Sequence, residues 1–107
     1  MAKIPNKIKK SIEEFLSEIR SICNLNKVIL YGSYASGRPT QNSDIDLAIF
    51  SKDANDDNRL NLMTKILMRV PKYKLDLQPL VFSYKDFSSN KNDFIKNEIK
   101  SHGITLK

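Results

Sequence analysis

The chain has 107 residues, a formal net charge of +6 and 40% apolar residues. This length fits one domain with one core, so we expect residues 1–107 to form a single domain. No apolar run approaches the roughly 18 residues of a membrane span, and the Lys-rich start lacks the apolar segment of a signal peptide, which excludes a membrane-spanning protein and argues against a secreted one.

A single cysteine, Cys23, excludes an internal disulfide framework and agrees with a reducing cytoplasm, where we expect the protein to act. The positive charge is compatible with nucleic acid, nucleotide phosphates or an acidic partner. Because the lysines are spread along the chain, we do not expect direct nucleic-acid binding. The lack of an apolar span argues against a membrane partner.

Residues 6 to 24 predict an amphipathic helix, because apolar residues recur at three- and four-residue steps. They are Ile8, Ile12, Phe15, Leu16, Ile19, Ile22 and Cys23. The position of Cys23 on this stripe predicts a core residue. A nearly continuous apolar run, residues 27–31, then predicts a strand covered on both faces and ending at Gly32.

Residues 44–50 predict a second strand after a loop that contains Pro39. Side chains alternate along a strand, so Asp44 and Asp46 share one face at its entry. Farther along, the same face becomes apolar with Ala48 and Phe50. The sequence therefore predicts polar side chains at the start of this strand and a buried apolar face farther along it.

The second half of the chain predicts a helix between Leu60 and Val70 and a strand over residues 74–82, with Asp76 in the middle of the strand. Pro79 cannot donate a hydrogen bond, which favours an edge position or a bulge. The order of elements indicates one small α/β layer structure.

The C-terminal region predicts two further helices. Ser83 and Asp86 have the spacing of a capping box for a short helical turn. Residues 92–101 predict a final helix with Phe94, Ile95 and Ile99 inward and Gly103 as its C-terminal cap, followed by a short extended segment at 104–106.

The residues that indicate chemistry are Gly32-Ser33 and, ten residues later, Asp44-x-Asp46, with Asp76 on a separate strand. Carboxylates embedded in apolar strands repel one another unless a cation compensates them, and hard oxygen ligands suit Mg²⁺ or Mn²⁺. Glycine lets a phosphate approach the backbone, and serine adds a hydroxyl donor. Each part alone is more often a turn or an exposed edge residue. Their spacing and order favour a phosphate-and-metal site.

These motifs resemble the nucleotidyltransferase superfamily related to DNA polymerase β. Gly37 and Ser43 lie where that family often has them, and residues 94–104 are similar to the closing helix of the minimal nucleotidyltransferases. The resemblance covers nearly the whole chain. It implies an α/β domain (α+β in some schemes) with a mixed sheet of three to four strands and about four helices.

The resemblance also implies roles for individual residues. Gly32 and Ser33 hold the nucleoside triphosphate, together with Arg38 and Ser43 as nucleotide-binding residues. Asp44, Asp46 and Asp76 are the catalytic and metal-binding carboxylates for Mg²⁺ or Mn²⁺, and Asp76 helps to activate the attacking hydroxyl. Many relatives have arginine where this chain has Ser36. Arg38 is the nearest candidate to replace it.

Minimal relatives lack an acceptor-binding domain and act as antitoxins, transferring AMP from ATP to a tyrosine hydroxyl on a HEPN-type ribonuclease toxin. The resemblance implies that function here, with the toxin as partner in a hetero-oligomer. Two alternatives stay open. One is a binding module that neutralises its partner by occlusion, which the Ser36 departure favours. The other is a transferase that acts on a small molecule or an RNA end.

Overall fold

The computed structural model describes residues 5–32, 34–35, 44–70, 76–89 and 91–107. Their elements are α1 (Asn6–Ile19), β1 (Lys27–Tyr31), β2 (Ile45–Ser51), α2 (Arg59–Leu67), β3 (Leu77–Ser83), α3 (Tyr84–Ser89), the π-helical α4 (Ile95–Lys100) and β4 (Ile104–Thr105). In this part of the chain, no helix has the length and apolar character that crossing a bilayer requires.

The four strands form one mixed sheet in the order β3-β2-β1-β4. Strand β1 is antiparallel to β2 and β4, whereas β2 and β3 run parallel. Two consecutive parallel strands need a crossover, which α2 supplies. The predicted α/β architecture, with its mixed sheet and four helices, is confirmed. Pro79 lies in β3, at the edge of the sheet, as predicted.

Each face of the sheet carries its own apolar cluster. One cluster joins Leu30, Leu47 and Ile49 to residues of α1 and α2. The other joins Ile29, Ala48 and Phe50 to residues of α3 and α4. Alternation along the strands produces this division, since neighbouring residues point to opposite faces. The second face is the one on which the alternation places Asp44 and Asp46.

Several predicted element bounds were wrong, and α2 ends at Leu67 rather than at Val70. Helix α1 ends at Ile19. Ile22 lies in the following turn, where its backbone N–H donates a hydrogen bond to the Ile19 carbonyl oxygen at 2.9 Å. Cys23 is nevertheless buried, as predicted, because this turn folds back onto the core. Strand β3 begins at Leu77, so Asp76 directly precedes the strand and is not in its middle. Residues 74 and 75 lie outside the described residues.

The C-terminal predictions are partly confirmed. Ser83 caps α3, since its Oγ accepts a hydrogen bond from the Asp86 backbone N–H at 3.3 Å. Ile95 and Ile99 are fully buried, but Phe94 is 43% exposed and does not point inward. Ile95 and Ile99 instead fill the space between α4 and the sheet.

Gly103 does not adopt the left-handed conformation that its predicted role as a helix cap implies. Its backbone N–H donates to the Ile99 carbonyl oxygen at 2.8 Å, and a Cβ at this position would overlap Ile29 Cγ2 and the Ile99 carbonyl oxygen. The glycine is therefore needed for the close approach of α4 to β1, rather than for a turn.

Candidate active site

The three predicted carboxylate residues, Asp44, Asp46 and Asp76, lie at the same end of the sheet. Ile45 of β2 pairs with Leu77 of β3, and the Ile45 backbone N–H donates to the Asp76 carbonyl oxygen at 2.8 Å. Asp76 therefore lies beside the start of β2, level with Asp44. Ile45 and Leu77 both belong to the cluster under α1 and α2. Continuing the alternation by one residue places Asp44, Asp46 and Asp76 on the opposite face.

The environment of Asp46 disfavours a negative charge. This residue is half-buried, and burial raises the pKa of its carboxyl group, with a further increase from the negative charge of Asp44. Asp44 itself is exposed. Two carboxylates this close disfavour the ionised state unless a cation lies between or beside them. The electrostatics of the pair thus indicate a cation-binding position.

Gly32 lies next to the Asp46 carboxylate at this cation-binding position. It follows β1 directly and has a φ of 78°, in the left-handed region that glycine adopts without strain. A Cβ built on Gly32 would overlap Asp46 Oδ2 and lie 3.2 Å from Asp46 Cγ. Only glycine fits here. The Asp46 carboxylate fills the space that a side chain at this position would need.

These residues suit a hard divalent cation. Mg²⁺ prefers oxygen ligands and commonly binds one or two carboxylates together with substrate phosphates. Asp44 and Asp46 supply that donor set, and Gly32 permits the close approach of the turn to the Asp46 carboxylate. Within the described ranges, no three acidic, histidine or cysteine side chains stand close enough together to hold a metal ion. The structure thus brings Asp44 and Asp46 together, and it places Asp76 next to them in register without joining its carboxylate to the pair.

Tyr31 is a neighbour of the site that sequence reasoning missed. It pairs across the strands with Asp46, and its side chain is only 8% exposed. Burial, with a smaller contribution from the Asp46 charge, raises the pKa of Tyr31 to about 12. Its ring packs edge-to-face with Phe94, with ring centroids 5.8 Å apart. The available signal was its place, immediately before Gly32 at the end of a strand.

Three of the predicted nucleotide-binding residues, Ser33, Arg38 and Ser43, lie outside the described residues, as does Ser36. Their assignments stay predictions. Of the predicted nucleotide-binding set, Gly32 is the member whose position is described, and it lies against Asp46.

A family profile described as "Polymerase beta, Nucleotidyltransferase" matches residues 6–107. The chain belongs to this nucleotidyltransferase family. The match covers both the carboxylate pair and the closing helix, so the activity class of the chain is nucleotidyl transfer. This confirms the family resemblance that the Gly-Ser and Asp-x-Asp motifs indicated.

Two curated relatives come from Methanocaldococcus jannaschii, and each is named "Putative protein adenylyltransferase". One is 33% identical over 99 residues, covering 91% of this nucleotidyltransferase and 95% of the relative. The other is 31% identical over 98 residues, with coverages of 89% and 94%. The alignments therefore span almost the full length of both relatives.

Two solved structures share the fold. One is a nucleotidyltransferase, also described as putative, from Sulfolobus solfataricus, with a TM-score of 0.59, 21% identity and coverage of 98% of this chain and 89% of that one. The other belongs to a complex of tri-AMPylated Shewanella oneidensis HEPN toxin with MNT antitoxin. It has a TM-score of 0.56, 16% identity and coverage of 92% and 71%. At these identities the likeness shows the fold alone.

Proposed function

We propose that this nucleotidyltransferase is a Mg²⁺-dependent protein adenylyltransferase. It transfers AMP from ATP to a tyrosine hydroxyl of a HEPN-type toxin and so acts as the antitoxin of a pair. The observation that carries the proposal is the contact between Gly32 and the Asp46 carboxylate, with Asp44 on the same face and Asp76 level with it on the next strand. A turn without a side chain beside paired carboxylates suits a polyphosphate and its cation.

The reaction joins an acceptor hydroxyl oxygen to the α-phosphorus of ATP and breaks the bond from that phosphorus to the bridging oxygen of the β-phosphate. Pyrophosphate leaves with the bond electrons. The hydroxyl proton passes to a carboxylate on the acceptor side, a role that we assign to Asp76. When bound at Asp44 and Asp46, Mg²⁺ supplies positive charge that stabilises the attacking and leaving oxygens.

Two comparisons support a protein as the acceptor. Both Methanocaldococcus jannaschii relatives carry protein adenylyltransferase in their names and match over nearly their whole length. The fold is shared with a chain from a complex in which a HEPN toxin is AMPylated and bound to an MNT antitoxin. A toxin acceptor is the finer part of the proposal and rests on that likeness together with the family resemblance.

The direct test combines α-labelled ATP, Mg²⁺ and a purified HEPN-type protein from the same genome. We expect label to appear on the partner, and we expect chelation of Mg²⁺ to prevent it. Asp44→Ala combined with Asp46→Ala should reduce labelling about a hundredfold or more, because both cation ligands are lost. Undiminished labelling by this double variant would contradict the assigned site.

The second candidate is neutralisation by occlusion without transfer. It is favoured by Ser36, which stands where many relatives have arginine, and by the three carboxylates not standing close enough together to hold a metal. Cells that express the toxin distinguish the two functions. Under the occlusion hypothesis, the double variant protects them as well as the unmodified protein does, whereas adenylyl transfer requires that protection is lost.

A further inference from the structure

Phe94 is an exposed aromatic side chain at the candidate active site. It is 43% exposed, and the other large apolar side chains with comparable exposure among the described residues, Leu60, Leu67 and Met68, lie in or just after α2. Helix α2 packs with the cluster on the other face of the sheet, whereas Phe94 directly precedes α4, on the face that carries the carboxylates. Burial in the core therefore does not explain this aromatic residue.

The ring is held next to the phosphate-binding turn. Phe94 packs against Tyr31 at an interplanar angle of 88°, and Tyr31 is the last residue of β1 before Gly32. On the neighbouring strand, Tyr31 pairs with Asp46. Tyr31 therefore lies between Phe94 and Asp46, which is a predicted metal ligand.

The support beneath Phe94 fixes its position. Ile95 and Ile99 are completely buried, so the helix that follows is anchored to the sheet. Gly103, which follows α4, packs against Ile29 in the middle of β1, whereas Phe94, which precedes α4, contacts Tyr31 at the end of this strand. The helix therefore runs back along β1. The helix is π-helical, a geometry that is frequent at functional sites.

An edge-to-face contact leaves ring surface open. Either the edge of Phe94 meets the face of Tyr31, or one face of Phe94 meets the Tyr31 edge. In both arrangements Tyr31 leaves at least one face of Phe94 uncovered. Nucleobases stack on such faces, and a stacked base is worth about tenfold or more in affinity.

We propose that Phe94, supported by Tyr31, is the nucleobase-binding subsite of this enzyme and stacks against the base of the nucleoside triphosphate. The subsite rests on the nucleotidyl-transfer function proposed above. Because every nucleobase presents an aromatic face, the ring contributes affinity for the base as a class and does not by itself select adenine.

The test is calorimetric titration with two ligands in the presence of Mg²⁺, ATP and inorganic tripolyphosphate, which lacks the base and the ribose. We expect Phe94→Ala and Phe94→Leu each to weaken ATP binding about tenfold and to leave tripolyphosphate binding unchanged. Phe94→Tyr keeps the aromatic face and should bind ATP as the unmodified protein does. Phe94→Leu keeps apolar volume, so a loss in that variant depends on aromaticity rather than on packing.

Leu67→Ala is the matched control, because Leu67 is 41% exposed and lies on α2. It should change neither affinity. Unchanged ATP affinity in Phe94→Leu, or an equal loss for both ligands, would overturn the subsite. So would weaker binding of the HEPN-type partner with normal ATP affinity, since Phe94 would then belong to a protein contact. If the unmodified protein bound neither ligand, the proposed function itself would fail along with the subsite.

Discussion

Gly32 and Asp46 lie so close that a single methyl group on the glycine would overlap the Asp46 Oδ2 atom. The contact joins the turn after β1 to the carboxylate on β2, the two parts of the sequence motif that stand on either side of the loop. Because the glycine also has a φ of 78°, its position is fixed both by backbone conformation and by lack of space. The geometry of the site therefore depends on this residue.

Gly32→Ala should consequently damage both stability and activity. The left-handed conformation alone costs a non-glycine residue about 1–2 kcal/mol, and the methyl group must displace Asp46 in addition. We expect a lower melting temperature and a loss of AMP transfer of about a hundredfold, measured on the folded protein. Normal transfer with a folded Gly32→Ala variant would show that the contact is not needed.

Gly103→Ala is the control for Gly32→Ala. Its methyl group would also overlap neighbouring atoms, those of Ile29 and Ile99, but these lie beside the middle of β1 and not at the carboxylates. We expect a loss of stability that is similar in kind, with a much smaller loss of activity in the fraction that remains folded, because the carboxylates are not displaced. A comparison of the two variants thus separates strain from damage to the site.

Asp46→Asn tests whether the ionised Asp46 carboxylate lowers the stability of the metal-free protein. Burial and the Asp44 charge raise the pKa of the Asp46 carboxyl group, so the folded state disfavours its ionised form. At neutral pH this opposes folding, and the penalty disappears as pH falls through the raised pKa. In metal-free buffer at pH 7, the variant should therefore melt at the same temperature as the unmodified protein or higher, and the difference should vanish in acid.

Melting curves at several pH values, with and without Mg²⁺, provide the measurement. Mg²⁺ should raise the melting temperature of the unmodified protein and have little effect on Asp46→Asn. Asp57→Asn removes an exposed carboxylate at the other end of the sheet and should show neither difference. A clear drop in the metal-free melting temperature of Asp46→Asn would mean that the carboxylate is structural.

Asp76→Asn should separate catalysis from nucleotide binding. Asp76 lies one strand away from Asp46 and two strands away from Gly32, and we assign it to the acceptor hydroxyl. Loss of a general base typically lowers turnover by roughly 10²–10⁴-fold. We expect kcat to fall in that range, with little change in the affinity for ATP. Weaker nucleotide binding with unchanged kcat would place Asp76 on the triphosphate side instead.

Tyr31→Phe should make the fold more resistant to alkali. The pKa of Tyr31 is raised to about 12, above the value of roughly 10 for an exposed tyrosine. Stability therefore falls as pH rises between these two values, because the unfolded chain loses the tyrosine proton first. The variant lacks the hydroxyl and should lose less stability across this window in urea denaturation. Identical pH profiles would show that Tyr31 is not buried as described.

Sequence patterns predicted the elements well where the residues at both ends of an element carry a signal. Strand β1 was predicted at Lys27–Tyr31 and is found there, because Gly32 ends its apolar run. The end of α1 was harder to predict, since Ile22 and Cys23 continue the apolar period in a turn that also packs on the core. Periodicity reports burial, and a buried turn can imitate a helix.

The site was predictable in its chemistry but only partly in its geometry. Alternation along β2 predicts one face for Asp44 and Asp46, and in the structure the Asp44 charge contributes to the raised pKa of Asp46. The register of β3 depends on its pairing with β2, which no local pattern contains, so the level of Asp76 required the fold. The spacing of Ile95 and Ile99 fits an α-helix and a π-helix alike, which is why the exposure of Phe94 was missed.

The mass of the HEPN-type partner after expression together with this protein tests the central claim most directly. We predict a mass increase equal to one or more AMP groups on tyrosine when the unmodified protein is present, and no increase with Asp44→Ala and Asp46→Ala combined. A partner that is neutralised and bound but carries no AMP would contradict adenylyl transfer. So would an equal mass increase with the double variant, which would place the reaction elsewhere.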